Sequence, residues 1–336
     1  MKERKKVELD DADLTILKGI GPTTAEKLKE AGYETCSQIA VLRPERLAEI
    51  LNWSTRKARE TVNDAQAKVL DLAIQEKTGE DVLNYRKEVV QKISTGSRAL
   101  DSILKGGVST SAVTMLFGKE GTGKTQLAHQ LVINMKKQYN RKAAWIETEA
   151  QTFDPERLLQ MAENQGVEFD LKKDIIVFTG DQITDSQKQS LAYVLVEKRI
   201  QKGMDIGILV VDSFNARFRF EYSGREMLRP RSSEMGQHMG YLHKLAAKYN
   251  IAVVLTSQVM GIPDTGGQQG AMMKYGIPYV PVGGLVMRHM ATWLIALDQV
   301  SAKDMTWKAI TSDCPVPRQS AMFKIDEYGV RDTSRR

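Results

Sequence analysis

The run Gly118-Lys119-Glu120-Gly121-Thr122-Gly123-Lys124-Thr125 constrains this 336-residue chain more than any other feature. It directly follows the apolar segment 113–117 (VTMLF) and directly precedes the helical pattern 126–137 (QLAHQLVINMKK). A strand, a glycine-rich turn and a helix in that order make a phosphate-binding loop. The glycines let backbone N–H groups converge on phosphate oxygens, and the first turn of the helix adds its partial positive charge. Lys124 is placed to neutralise β- and γ-phosphate oxygens, and the Thr125 hydroxyl to ligate Mg²⁺. With Gln126 opening the helix, Gly118 to Gln126 form the predicted nucleotide-binding set.

Such a loop belongs on a sheet, and the rest of the chain supplies one. Apolar runs at 143–146 (AAWI), 175–178 (IIVF), 206–211 (IGILVV) and 251–255 (IAVVL) alternate with helical segments. They are continuous rather than alternating, as strands buried on both faces of a parallel sheet require. The reading is an α/β core with a mainly parallel central sheet. Segments 292–297, 306–311 and 321–325, separated by hairpin-length gaps, are expected to extend it antiparallel. Residues 11–52 read instead as short helices joined by tight turns. Ser54 there caps a longer helix through about Gln75, and Leu17, Ile20, Leu28, Ile39 and Leu47 supply a small core. We predict an all-α domain over 1–75, a polar linker over 76–94 and the α/β core over 95–336.

Polar residues close three predicted strands on the edge where ligands bind in such sheets. Asp212 ends 206–211 and suits the Mg²⁺ shell. Glu147 and Glu149 follow 143–146 as candidates to orient and deprotonate a water. They point the same way, so spacing alone does not choose between them. Gln258 ends the strand IAVVLTSQ, and after it the stretch 259–284 is rich in Gly and Pro with almost no charge, which suits a mobile functional loop. After Asp212 comes a second loop in which Arg217, Arg219, Arg225, Arg229 and Arg231 interleave with Phe218, Phe220 and Tyr222. That composition suits phosphate neutralisation beside base stacking on a single strand. A solvated basic turn whose aromatics belong to the core is the alternative. Lys18-Gly19-Ile20-Gly21, between two short helices, is a helix-hairpin-helix signal that serves either DNA backbone contact or protein docking.

Several classes fall away on composition. No stretch approaches the ~20 uncharged apolar residues of a membrane helix, and the start MKERKKVELD lacks a secretory core. Cys36 and Cys314 are too far apart in sequence and too isolated for a disulfide framework or a zinc site. Forty-eight Lys plus Arg against 42 Asp plus Glu leave +6, which permits a polyanion partner.

Together these stretches resemble the RecA-like recombinases, most closely the archaeal RadA type. The resemblance extends along LKGIGPTTAEKLKEAGY, STGSRALDSILKGGV, GKEGTGKTQ, TEAQTFDPERL, LVVDS, FRFEYSGR, VGGLVMRHMAT and DCPVPRQSAMFKIDEYGVRD. It implies a RecA-like P-loop ATPase core behind a helix-hairpin-helix domain. It also implies ATP and Mg²⁺ as cofactors and a homo-oligomer, ring or helical filament, with ATP at the subunit interface. The implied activity is pairing single-stranded with double-stranded DNA, and the implied setting is the cytoplasm, at the nucleoid and not a membrane. Carried over by position, Lys124, Glu149 and Gln258 are catalytic, Thr125 and Asp212 hold the metal, and Asp313 and Pro315 cap ATP bound by an adjacent subunit. Arg217, Arg219, Arg225, Arg229 and Arg231 fall in the first DNA loop, and Gly283 and Gly284 close the second. The chain departs from the family at Glu76 and Gly79, where an apolar linker plug is usual, at Asp154, at Glu226 and Ser232, and at Leu285. Alternatives are a paralogue that binds ATP and DNA while assisting the main recombinase, and a nucleotide-switched interaction protein.

Overall fold

The first helices begin where the chain cannot do otherwise. Pro22 and Pro44 occupy the opening turns of α1 (Pro22–Glu30) and α3 (Pro44–Leu51), where a missing N–H costs nothing. Thr35 and Gln38 cap α2 (Cys36–Ala40) reciprocally. These helices, a short 3₁₀ turn (Leu14–Ile16) and the long α4 (Thr55–Ala73) bury Leu14, Leu17, Ile20, Leu28, Ile39, Leu47, Ala58 and Val62 in one cluster. The turn read as a helix-hairpin-helix signal is fastened to α4. Lys18 donates its N–H to Asp64 at 2.6 Å, and its carbonyl accepts from Thr61 at 2.9 Å. Our computed structural model describes residues 14–73, 77–149, 151–224, 226–261, 279–312 and 314–333. The chain divides into two units, 1–86 and 87–336. Residues Gly79–Glu88, read as polar linker, form a helix, α5. Thr78 and Asp81 cap it: the Thr78 N–H donates to Asp81 Oδ2 and the Asp81 N–H to Thr78 Oγ1. Glu76 lies outside the described residues.

In the second unit β1 (Lys92–Ile93) and β2 (Val108–Ser109) form a small antiparallel pair around α6 (Arg98–Ile103). The sheet is built from β3 (Ala112–Phe117), β4 (Lys142–Glu147), β5 (Ile175–Phe178), β6 (Ile206–Asp212) and β7 (Ala252–Ser257), with β8 (Val259–Gly261) and β9 (Tyr279–Pro281) paired apart from it. The series ends with β10 (Trp293–Ser301), β11 (Thr306–Ser312), β12 (Ser320–Asp326) and β13 (Gly329–Asp332). Among the described residues nine strands form the sheet in the order β13-β12-β11-β10-β3-β7-β6-β4-β5. Every pairing from β10 to β5 is parallel. Only the pairings β10 with β11, β11 with β12 and β12 with β13 are antiparallel. The expectation that 292–297 would join antiparallel is therefore corrected: β10 lies parallel to β3, in register from Trp293 opposite Thr114.

Both faces of the sheet are covered, which is why its strands read as unbroken apolar runs. α7 (Lys124–Tyr139) and α8 (Pro155–Asn164) pack on the face that carries Leu116, Trp145, Val210 and Val254. α9 (Ser186–Gln201) and α11 (Leu228–Tyr249) pack on the face that carries Val113, Met115, Ile146, Val211 and Leu255, and the short α10 (Ala216–Glu221) follows β6 on the same side. The parallel strands all end on one edge. β3, β7, β6 and β4 lie side by side there, so the phosphate loop, Gln258, Asp212 and Glu149 arrive at one place.

Candidate active site

The loop after β3 is packed too tightly for side chains at two of its glycines. A Cβ at Gly118 would lie 2.4 Å from the Leu297 carbonyl oxygen. At Gly123, φ is +83° and a Cβ would lie 2.5 Å from Ile325. Thr122 is buried and spends its hydroxyl on the Lys119 carbonyl at 2.8 Å, so it shapes the loop from within. Lys124 turns back into the curl and donates to the carbonyls of Gly118 (3.0 Å) and Lys119 (2.8 Å). Burial lowers its pKa, while the charges of Asp212, Glu149 and Glu120 oppose that shift. An ammonium held by loop carbonyls beside three carboxylates is poised to exchange them for a stronger anionic acceptor.

Thr125, the second residue of α7, donates its hydroxyl to Asp212 Oδ2 at 2.7 Å. Thr256, at the end of neighbouring β7, donates to Asp212 Oδ1. Asp212 is buried, and burial pushes its pKa up against the pull of both threonine hydroxyls. One hydroxyl and one carboxylate side by side are the protein donors that Mg²⁺ takes when phosphate and water complete its octahedron.

The two acids after β4 part company once folded. Glu147 is buried, and backbone amides hold both its oxygens: Thr152 (2.6 Å) and Phe153 (3.1 Å) on Oε1, Gly180 (2.9 Å) on Oε2. It organises the loops after β4 and β5 and does not line the cleft. Glu149 is half-buried and lines the cleft with Lys124, Thr125 and Asp212. Its Oε1 accepts from Ser213 Oγ at 3.0 Å and from Gln258 Nε2 at 3.4 Å. Gln258 Oε1 in turn accepts from the guanidinium of Arg219. The order Arg219, Gln258, Glu149, Ser213 is thus one hydrogen-bonded chain from the basic loop into the cleft.

The predicted nucleotide residues Glu120, Gly121, Gly123, Lys124, Thr125 and Gln126 line this cleft, and Lys119 sits behind it, its ammonium over the Tyr279 ring. Trp307 and Ile325 close it from β11 and β12, and Trp307 Nε1 donates to the Gly121 carbonyl at 3.5 Å. No sequence signal tied Trp307, 186 residues beyond Gly121, to the loop. Asp154 caps α8 by accepting from the Arg157 N–H at 2.8 Å. Arg157 itself reaches Gln126 Oε1 at 2.8 Å, which places a guanidinium next to the loop from the neighbouring helix. Pro315 is exposed between β11 and β12 and does not line this cleft. Asp313 lies outside the described residues.

The basic loop divides its residues between inside and outside. Phe218 is fully buried against Phe214, while Phe220 is 77% exposed. Arg217, read as a DNA contact, is half-buried and donates to the Gly180 carbonyl at 3.0 Å, so it ties the loop to the body. Arg219 and Arg229 are exposed, Arg231 is half-buried, and Arg225 lies outside the described residues. From 259–284, β8 pairs with β9 and Gly283 (φ +103°) caps α12 (Gly284–Met290); residues 262–278 lie outside the described residues. A Cβ at Gly283 would lie 2.6 Å from Met287 and 2.7 Å from Met235, and the positive φ there favours glycine in any case.

The profile of the Rad51 family matches residues 85–333. The chain belongs to the Rad51 family. A protein named DNA repair and recombination protein RadA from Methanococcus maripaludis (strain C6) is 35% identical over 334 residues, covering 95% of this chain and 99% of its own. The RadA of Aeropyrum pernix is 36% identical over 329 residues, 95% of this chain and 97% of its own, and that of M. maripaludis strain C5 is 34% identical over 334. The Rad51-family match begins at 85 and spans the whole nine-stranded unit. Among the described residues of this Rad51-family chain, no helix is long and apolar enough to cross a membrane.

Proposed function

We propose that this chain is an ATP-dependent DNA recombinase: it binds single-stranded DNA, hydrolyses ATP, and pairs the strand with a homologous duplex during recombinational repair. One observation carries the reading. The cleft beside the phosphate loop holds Lys124, Thr125, Asp212 and Glu149 together, and Glu149 is hydrogen-bonded through Gln258 to Arg219 of the basic loop. Membership of a family with relatives named for DNA repair and recombination supports the biological setting.

The residues fit a magnesium nucleotide. Gly121 has φ +75° and nothing within 4 Å of a Cβ position, so the loop's backbone is open where it faces the cleft. Lys124, the loop amides from Gly118 to Thr125 and Gln126 hold the phosphates in this reading, and Thr125 with Asp212 holds Mg²⁺. ATP with Mg²⁺ supplies an electrophilic γ-phosphorus and a diphosphate leaving group. Lys124 exchanges its two loop carbonyls for phosphate oxygens and neutralises charge there. Glu149 orients a water and accepts its proton at an oxygen now shared between Ser213 and Gln258. Asp212, whose two oxygens accept from Thr125 and Thr256, would hold Mg²⁺ together with Thr125.

Arg219, Arg225, Arg229 and Arg231 serve the polynucleotide, with Gly283 and Gly284 closing the second DNA loop, and the first unit adds a helix-hairpin-helix contact. Copies assemble with ATP between them, and Asp313 and Pro315 cap the nucleotide of a neighbour. The protein then works in the cytoplasm at the nucleoid. The test is ATP turnover with and without single-stranded DNA, alongside strand exchange between a circular single strand and a linear duplex. Turnover with no exchange would make the chain an assisting paralogue, and no turnover would reject the enzyme.

A further inference from the structure

We propose that Arg219 is a positioning residue that carries occupancy of the basic loop to Glu149 through Gln258. The inference rests on the ATPase and DNA-binding reading above and deepens it. The short helix α10 is fixed at three of its six residues. Phe218 is fully buried, Arg217 donates to the Gly180 carbonyl, and Glu221 accepts from the N–H and the hydroxyl of Ser186. Arg219 and Phe220 are left facing out on this pinned turn.

From there the Arg219 guanidinium meets Gln258 Oε1. A glutamine amide has one oxygen and one NH₂, so fixing the oxygen decides where the NH₂ points. It points at Glu149 Oε1, 3.4 Å away, on the same oxygen that Ser213 Oγ reaches at 3.0 Å. In this arrangement one oxygen of the carboxylate proposed to take a proton from water is therefore engaged from two sides. A phosphodiester is a better partner for a guanidinium than a neutral amide is, because both groups of that pair are charged. When a DNA phosphate recruits Arg219, Gln258 loses its restraint and Glu149 Oε1 loses one donor. DNA stimulation then proceeds by release: Arg219 restrains the site until a polyanion arrives.

Arg219→Gln, Arg219→Lys, Gln258→Ala and the Arg219→Gln/Gln258→Ala double variant test this. Steady-state phosphate release is measured without DNA and at saturating single-stranded DNA, with DNA affinity measured separately. Arg219→Gln should raise DNA-free turnover about 2- to 10-fold, the weight of one net hydrogen bond, and reduce the stimulation ratio at saturating DNA by a similar factor. Arg219→Lys, which keeps a charged donor, should fall between this variant and the wild type. In the Gln258→Ala background, adding Arg219→Gln should leave DNA-free turnover where it was. An Arg219→Gln protein with wild-type DNA-free turnover and full stimulation at saturating DNA, weakened only in DNA affinity, would make Arg219 a plain DNA contact and overturn the proposal. A wild-type protein whose turnover ignores single-stranded DNA would instead refute the functional reading itself, a result visible before any variant is made.

Discussion

Glu147 and Glu149 sit two residues apart at one strand end, and replacing each by glutamine should separate a structural acid from a chemical one. The three backbone N–H groups on Glu147 lie 2.6, 3.1 and 2.9 Å from its oxygens. Glutamine keeps one oxygen and turns an NH₂ toward a donor, so at least one buried N–H is deprived of its acceptor, at about 1–3 kcal/mol. The bonds that survive lose their charge assistance, at about 1 kcal/mol each. A total near 3–5 kcal/mol lowers the melting temperature of a unit this size by about 6–20 °C. At Glu149 glutamine retains an oxygen for Ser213 and the side chain is half-buried, so melting should move little. Turnover there should instead fall about 10²- to 10⁴-fold, the usual worth of a general base, or about 3–5 kcal/mol of barrier. Circular dichroism melts and phosphate release at saturating ATP and DNA read the two effects independently. Glu149→Gln with undiminished turnover, or Glu147→Gln that melts with the wild type and yet is inactive, would refute the division of roles.

Lys124→Ala should abolish ATP hydrolysis, and undiminished DNA-stimulated phosphate release would remove the phosphate-loop assignment. Neutralising Arg229 should flatten the dependence of single-strand affinity on log salt by about 0.7 for each phosphate the arginine no longer neutralises, whereas Arg217→Gln should leave that slope unchanged. Fluorescence-anisotropy titrations at several salt concentrations decide between them, and equal slopes for wild type and Arg229→Gln would favour the solvated-turn alternative. His129 is fully buried against Trp145 with neither ring nitrogen hydrogen-bonded, and burial lowers its pKa from 6.5 to about 4. The stability tied to that shift is complete above pH 6.5 and declines toward pH 4 by about 3 kcal/mol in all, so His129→Leu should flatten the acid side of the melting profile and parallel profiles would contradict it.

Most of the sheet was legible because burial on both faces writes itself into composition. Segment 175–178 coincides with β5, the runs for β3, β4 and β6 differ from their strands by at most one residue at either end, β7 is displaced by one residue at its start and two at its end, and β10 continues four residues past 297. The direction of β10 was not legible, since a gap length limits a connection without stating which neighbour the strand joins. Nor was β13, because Gly329–Asp332 is four residues with only two buried, and the Val330 N–H finds its acceptor on Gln130, 200 residues earlier. The roles of Glu147 and Glu149 were hidden for a related reason. Both acids share a parity, and only the folded loops bring the Thr152, Phe153 and Gly180 amides to one of them. Within the basic loop, alternation of Arg and aromatic residues could not say that Phe218 turns inward while Phe220 turns out. Packing against Phe214 made that selection.

The end of β7 explains why nucleotide and polynucleotide can be linked over so short a distance. Thr256, in β7, and Gln258, just past its end, sit two residues apart with Ser257 between them. Thr256 donates to Asp212, while Gln258 bonds Glu149 and Arg219 of the basic loop. Between them the Ser257 hydroxyl accepts from Asn215, at the root of the basic loop, at 3.0 Å. The next residues, β8, pair with β9 at the other end of the second loop. In the proposed function, a small shift of this strand end would move the Thr256 hydroxyl on Asp212, the Gln258 amide on Glu149 and the stems of both loops together. Such a lever needs no long path of intermediates, because the groups that must agree are covalent neighbours on one strand.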